Sequence, residues 1–172
     1  MAPRIHTVDL HFRNEAHAVA AYIVEGPQGL VLIETGPRST LDTLLHAIAE
    51  LGYQRGDIRD VLVTHIHLDH AGVTGTLCSA NPKLQVYVHE RGAPHMVRPT
   101  KLLASAKQLY GGDMDRLWGD FLAVPQANVH VLRGGERISL GDRELEVAYI
   151  PGHASHHVGF LDRSSGVGFV GD

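Results

Sequence analysis

Apolar positions change rhythm along the chain, and each change marks an element. Residues 5–12 and 18–25 read as strands, and the turn Gly26-Pro27-Gln28-Gly29 leads into a third at 30–33. That third run is apolar at every position, which is the pattern of a strand covered on both faces. Ser39 with Asp42 three residues later signals a helix start. Leu41, Leu44, Leu45, Ile48 and Leu51 then recur at helical spacing up to Gly52. Val61-Leu62-Val63 is a second buried strand, 71–80 a small-residue helical segment, and 84–88 another strand. From His89 to about Leu122 the period is helical, through Leu102, Leu103, Ala106, Leu109 and Tyr110, then Met114, Leu117, Trp118 and Phe121. After Pro125 strands return at 129–132, 137–140, 145–150, 158–161 and 167–170, with turns at Gly134-Gly135, Gly141-Asp142 and Ser164-Ser165-Gly166. The pattern predicts an α/β (α+β) chain: a βα half, a helical insertion at about 89–124, and a β meander around one core.

Length and composition narrow the function classes. A chain of 172 residues allows one domain, 1–172, with a real core. Fifteen Lys plus Arg against 19 Asp plus Glu give a net charge of −4, so there is no broad basic surface for phosphate backbones and no nucleic-acid partner is expected. The single cysteine, Cys78, excludes an intrachain disulfide and reads as a buried structural thiol. No stretch approaches the ~18 apolar residues of a membrane span, and the N-terminus lacks the apolar core of a signal peptide. The expectations are no membrane partner and a cytoplasmic location. The unusual count is histidine, at 13.

Four of the potential ligands stand together as His65-x-His67-x-Asp69-His70, directly after the strand at 61–63. Imidazole and carboxylate are the borderline donors that hold zinc or iron near neutral pH, and a tight turn after a strand can point alternating side chains into one volume. Histidines satisfied by ordinary hydrogen bonds are the plainer alternative, and it suits a lone histidine better than this spacing. His153, in Pro151-Gly152-His153, also leaves a strand, and Asp172 follows Gly168-Phe169-Val170-Gly171. Every candidate thus sits where a strand ends, the place where loops converge in open α/β sheets.

With these motifs in this order, the chain resembles the metallo-β-lactamase-fold hydrolase superfamily, in its hydroxyacylglutathione-hydrolase-like branch. The resemblance implies a four-layer αββα sandwich with metal ligands at one edge of two sheets. It implies that His65, His67 and His153 hold a first metal, that Asp69 and His70 hold a second, and that Asp172 bridges them. His153-Ala154-Ser155-His156-His157 is similar to the family's His-Thr-Pro-Gly-His segment, which makes His157 a supporting residue, although Thr, Pro and Gly are replaced here. Glu34-Thr35-Gly36 resembles the family's Asp-Thr-Gly loop, whose carboxylate orients the ligand loop, and Glu34 is one methylene longer than that Asp. The alternative for Glu34 is a solvated loop carboxylate. Family members carry a further second-metal histidine downstream of the bridging Asp. The expectation is therefore that these residues form the N-terminal half to two-thirds of a longer sandwich.

The implied chemistry is hydrolysis of a small-molecule thioester or ester. Two divalent ions, zinc first and iron or manganese after it, would lower the pKa of water and deliver hydroxide to a polarised carbonyl. Asp69 would be the catalytic residue, orienting that water or accepting its proton. A thioester suits this machinery because a thiolate leaves without a strong acid. Four alternatives stay open. One is a persulfide dioxygenase with a single iron on a motif histidine, His153 and Asp172. The others are a metal-dependent nuclease, a lactone or β-lactam hydrolase, and a metal-binding protein without turnover. His6, His11, His17, His46, His89, His95, His130 and His156 lie scattered and read as surface or structural residues. In the helical segment Tyr110, Trp118 and Phe121 read as core, and the segment could cap the site or form a homodimer contact.

Overall fold

The computed structural model describes residues 4–141 and 143–172. Strands β1 (Ile5–Asp9), β2 (Ala20–Gly26) and β3 (Gly29–Ile33) form an antiparallel meander. Helix α1 (Leu41–Glu50) carries the chain to β4 (Ile58–Leu62), parallel to β3. The short helices α2 (Leu68–Ala71) and α3 (Thr74–Ala80) lead to β5 (Gln85–His89), parallel to β4. Helices α4 (Ala93–Val97), α5 (Thr100–Tyr110) and α6 (Met114–Leu117) then lead to β6 (Val129–Leu132), parallel to β5. These six strands make one sheet in sequence order. The second sheet is antiparallel, in the order β10-β9-β8-β7, from β7 (Arg137–Leu140), β8 (Arg143–Tyr149), β9 (Val158–Asp162) and β10 (Val167–Phe169).

The unbroken apolar run of β3 is explained by its two covered faces. Leu30 and Leu32 join a cluster with Leu44 and Ile48 of α1, Leu77 of α3 and Met96 of α4. Val31 and Ile33 point the other way, into a cluster with Val147 of β8 and the fully buried Phe160 of β9. Helices, first sheet and second sheet are thus three successive layers of the αββα arrangement.

The helical stretch at 89–124 is the connection between two neighbouring parallel strands of the first sheet. Strand 129–132 therefore belongs with β5 rather than with the meander that follows it. A parallel neighbour needs a crossover of a dozen or more residues, and this segment supplies it. Trp118 and Phe121 are buried in the helical core, with Phe12 stacked on Trp118 at 5.2 Å. Leu109 differs from the periodic reading and projects outward, while Tyr110 is 38% exposed and sets its ring edge-on against Trp118 at 4.9 Å. The turn expected at Gly141-Asp142 lies partly outside the described residues, since Asp142 is not among them. Among the described residues no helix is long and apolar enough to cross a membrane.

Cys78 is buried in α3, and burial pushes its thiol up to about 11. A thiol so placed is almost wholly protonated and out of reach. Native protein at mildly alkaline pH should leave a chromogenic disulfide reagent unreacted, and denatured protein should titrate one thiol per chain. Stoichiometric labelling of the native state would contradict this packing.

Candidate metal centre

Strands β3 and β4 run in parallel, so their C-terminal ends open at one edge, and β8 ends there too. The backbone stitches that edge together: Val158 N–H donates to the carbonyl of Thr64 (2.9 Å), joining the start of β9 to the residue before His65. His65 is wholly buried, and the rings of His67, His70, His153 and His157 all lie within 4.8 Å of its ring centre.

Two sets of ligand atoms converge. In one, nitrogens of His65, His67 and His153 lie within 4.8 Å of one another, and His153 Nε2 stands 2.9 Å from His67 Nδ1. In the other, His65 and His70 come together with a carboxylate oxygen of Asp172, with His70 Nε2 at 3.3 Å from that residue. Asp69, on the first turn of α2, places Oδ2 at 3.7 Å from His70 Nε2 without joining either set. His65 is common to both, and its Nε2 is buried without a hydrogen-bond partner among the described residues. A buried polar nitrogen left alone costs about 1–3 kcal/mol, so the site calls for something in its middle.

The charges say what that something is. Burial, then the neighbouring imidazoles of His70, His67, His157 and His153, hold His65 far below the usual histidine range. Burial and His153 lower His67 as well. These are neutral donors with lone pairs, and protons are disfavoured among them. The set fits a divalent cation, which concentrates its charge where several imidazoles cannot each carry one.

Supporting groups fix the candidate ligands. Glu34 follows β3 with a left-handed φ of 64°, a costly conformation for a residue other than glycine. It lets one oxygen accept from the backbone N–H of Thr64 (2.9 Å) and the other from His70 Nδ1 (3.1 Å). Glu34 is therefore buried and fully engaged, which removes the solvated-loop alternative. Burial works against a charged His70, but the bond and charge of Glu34, helped by Asp69 and Asp172, outweigh it and raise His70 to about 9. His157 Nε2–H donates to the carbonyl of Val170 (2.7 Å), tying the loop after β8 to the segment before Asp172. Gly171 completes that segment with φ +66°, and a Cβ on it would come 2.5 Å from Thr64 Oγ1. Only glycine lets the backbone pass so close while presenting Asp172.

His156 is a residue that the sequence reading set aside and the fold brings in. Its ring lies 5.8 Å from that of His67 and 6.2 Å from that of His65, and its Nδ1 is buried with no hydrogen-bond partner among the described residues. Burial, then the imidazoles of His67, His89, His157 and His95, lower it to about 4. Its place in the segment after His153 was the one available signal. Beside Asp69, His70 and Asp172 a cavity of about 190 Å³ opens, walled by Tyr22, Phe169 and residues 18–20.

Comparison with known proteins follows the same lines. The sequence model of the Metallo-beta-lactamase superfamily matches residues 15–172. The chain is 28% identical over 117 residues to a hydroxyacylglutathione hydrolase of Acaryochloris marina, covering 68% of this chain and 33% of that protein. It is 25% identical over 187 residues to the acyl-coenzyme A thioesterase MBLAC2 of Bos taurus, covering 98% of this chain and 62% of the relative. A solved metallo-beta-lactamase family protein from Thermus thermophilus superposes with a TM-score of 0.76 at 26% identity, over 99% of this chain and 59% of its own. The chain spans about half the length of the curated relatives it matches.

Proposed function

Because the chain belongs to the metallo-beta-lactamase superfamily, we propose that it acts as a metal-dependent hydrolase that cleaves a thioester or ester of a small molecule. The observation that carries this reading is the buried, unpartnered Nε2 of His65 where the two ligand sets meet. In this reading His65, His67 and His153 would hold one divalent ion, and Asp69 and His70 would hold a second, with Asp172 as a further carboxylate ligand. Zinc suits this mixture of imidazole and carboxylate best. Such ions, when bound, supply Lewis acidity toward a carbonyl oxygen and acidify water. Asp69 does what the chain itself must do: its partly exposed carboxylate takes the proton from the attacking water at Oδ2. Glu34 keeps the Nδ1 proton of His70 in place, so that Nε2 faces the site. The cavity walled by Tyr22 and Phe169 receives the acyl group.

Relatives named for a hydroxyacylglutathione hydrolase and an acyl-coenzyme A thioesterase support an acyl–sulfur bond as the one broken. The thiolate leaves without a proton, so no further acid is required. A free thiol at Cys78 suits a reducing cytoplasm, which we take as the location. Chelation should abolish thioester hydrolysis, zinc should restore it, and elemental analysis should find two zincs per chain. Hydrolysis that survives exhaustive chelation would overturn the reading.

One observation favours a second reading. His65, His70 and Asp172 are two imidazoles and a carboxylate, the donor set of mononuclear iron oxygenases. One iron per chain, with oxygen consumption on a persulfide substrate, would select a persulfide dioxygenase instead.

A further inference from the structure

His153 is the weakly supported member of the first ligand set. It sits on the loop between β8 and β9, its side chain is about one-third exposed, and its ring neighbours are other groups of the site. The loop is closed at its base by Ile150 N–H donating to the carbonyl of His157 (3.1 Å). Its tip needs a separate hold, because an exposed ligand free to wander would lose much of its contribution to binding.

That hold comes from the last residue of β8, Tyr149, packed against the end of β5. The hydroxyl of Tyr149 donates to the carbonyl of Ser155 at 3.0 Å, and Arg91 Nη1 reaches the same carbonyl at 3.5 Å. Tyr149 is itself fixed. Its ring lies flat on the buried imidazole of His89, with centres 4.7 Å apart and planes 8° from parallel, and the guanidinium of Arg91 lies over it at 6.0 Å. His89 is set in turn by Arg91 N–H, which donates to its Nδ1 (3.2 Å). Gly134, with φ +105°, passes the backbone of Tyr149 so closely that a Cβ there would fall 2.7 Å from Tyr149 Cβ. A buried imidazole and a guanidinium on its ring, and a glycine against its backbone, therefore fix Tyr149 with its hydroxyl on the loop two residues beyond His153.

We infer that Tyr149, braced by His89 and Arg91, is a positioning residue for the metal site: it clamps the Ser155 carbonyl and thereby holds His153 in the first ligand set. This rests on the reading in which His153 binds an ion. Neither His89 nor Tyr149 belongs to either ligand set, so the clamp acts through the loop alone.

The test is equilibrium binding of Zn²⁺ alone, by competition with a chromophoric chelator, for wild type, Tyr149→Phe, His153→Ala and the double variant. Phenylalanine keeps the ring on His89 and removes only the hydroxyl, so the metal-free variant should melt with wild type. Removing an outer support of a metal ligand weakens affinity by about 10-fold or more, and Tyr149→Phe should show about 10-fold. The double variant should bind as His153→Ala does, because the clamp has nothing left to place. A merely structural loss would add to the His153→Ala loss instead. Wild-type affinity in Tyr149→Phe, or additive losses in the double variant, would overturn the inference while leaving the hydrolase reading intact. A wild-type protein that binds no Zn²⁺ would overturn that reading, and the clamp with it.

Discussion

Asp69→Ala should lower kcat/KM for thioester hydrolysis by about 1,000-fold, the middle of the range that a well-placed proton acceptor contributes. The fold should scarcely notice. Asp69 is partly open to solvent, on the first turn of α2, and its near neighbour is His70 Nε2 at 3.7 Å. Losing a partly exposed carboxylate beside His70 should cost no more than about 1 kcal/mol. Urea melts of the variant should therefore lie close to those of wild type while turnover collapses. Metal content decides how Asp69 acts. If both ions stay bound and activity is lost, the carboxylate works on the water proton. If one ion leaves with the activity, its weight lies in ligation. Undiminished turnover would remove Asp69 from the mechanism.

Much of this architecture could be read from the chain because burial leaves a local trace. The apolar run of β3 announced two covered faces, and both are found: Leu30 and Leu32 against helices, Val31 and Ile33 against the second sheet. His65, His67, His70, His153 and Asp172 all follow strands, and strand ends are where this topology gathers its loops. What the sequence withheld was partnership at a distance. Four residues at 129–132 show that a strand exists, but nothing local says that it pairs with β5 across a helical connection. Leu109 shares the helical period of its neighbours, yet among the described residues no element packs over it. His89 and Tyr149 are sixty residues apart in the chain and carry no motif, so their stacking is visible only in the fold. His156 was hidden for the opposite reason: it lies beside motif residues but at a position where the resembled segment has glycine.

Glu34 shows how a single buried carboxylate joins fold to site. Its left-handed backbone costs roughly 1–3 kcal/mol, and alanine in its place would keep that cost while losing both bonds that offset it. The N–H of Thr64 would then be buried without a partner, and the Nδ1–H of His70 likewise. Glu34→Ala should destabilise the protein by about 3 kcal/mol, as removal of one member of a buried charged pair does, read from urea melts of the metal-free protein. Glu34→Gln separates the two roles. The amide keeps the shape, and its oxygen can still accept from Thr64, but its NH₂ then faces His70 Nδ1. Two donors cannot meet, so the imidazole must give up its Nδ1 proton and carry its remaining one on Nε2, the atom that looks toward Asp172. Stability should fall by only about 1–2 kcal/mol, while metal affinity at the set containing His70 should drop about 10-fold or more. If Glu34→Gln binds metal as wild type does, the carboxylate is a structural tie alone, and the orientation of His70 must come from the bonds of Thr35 to its backbone carbonyl.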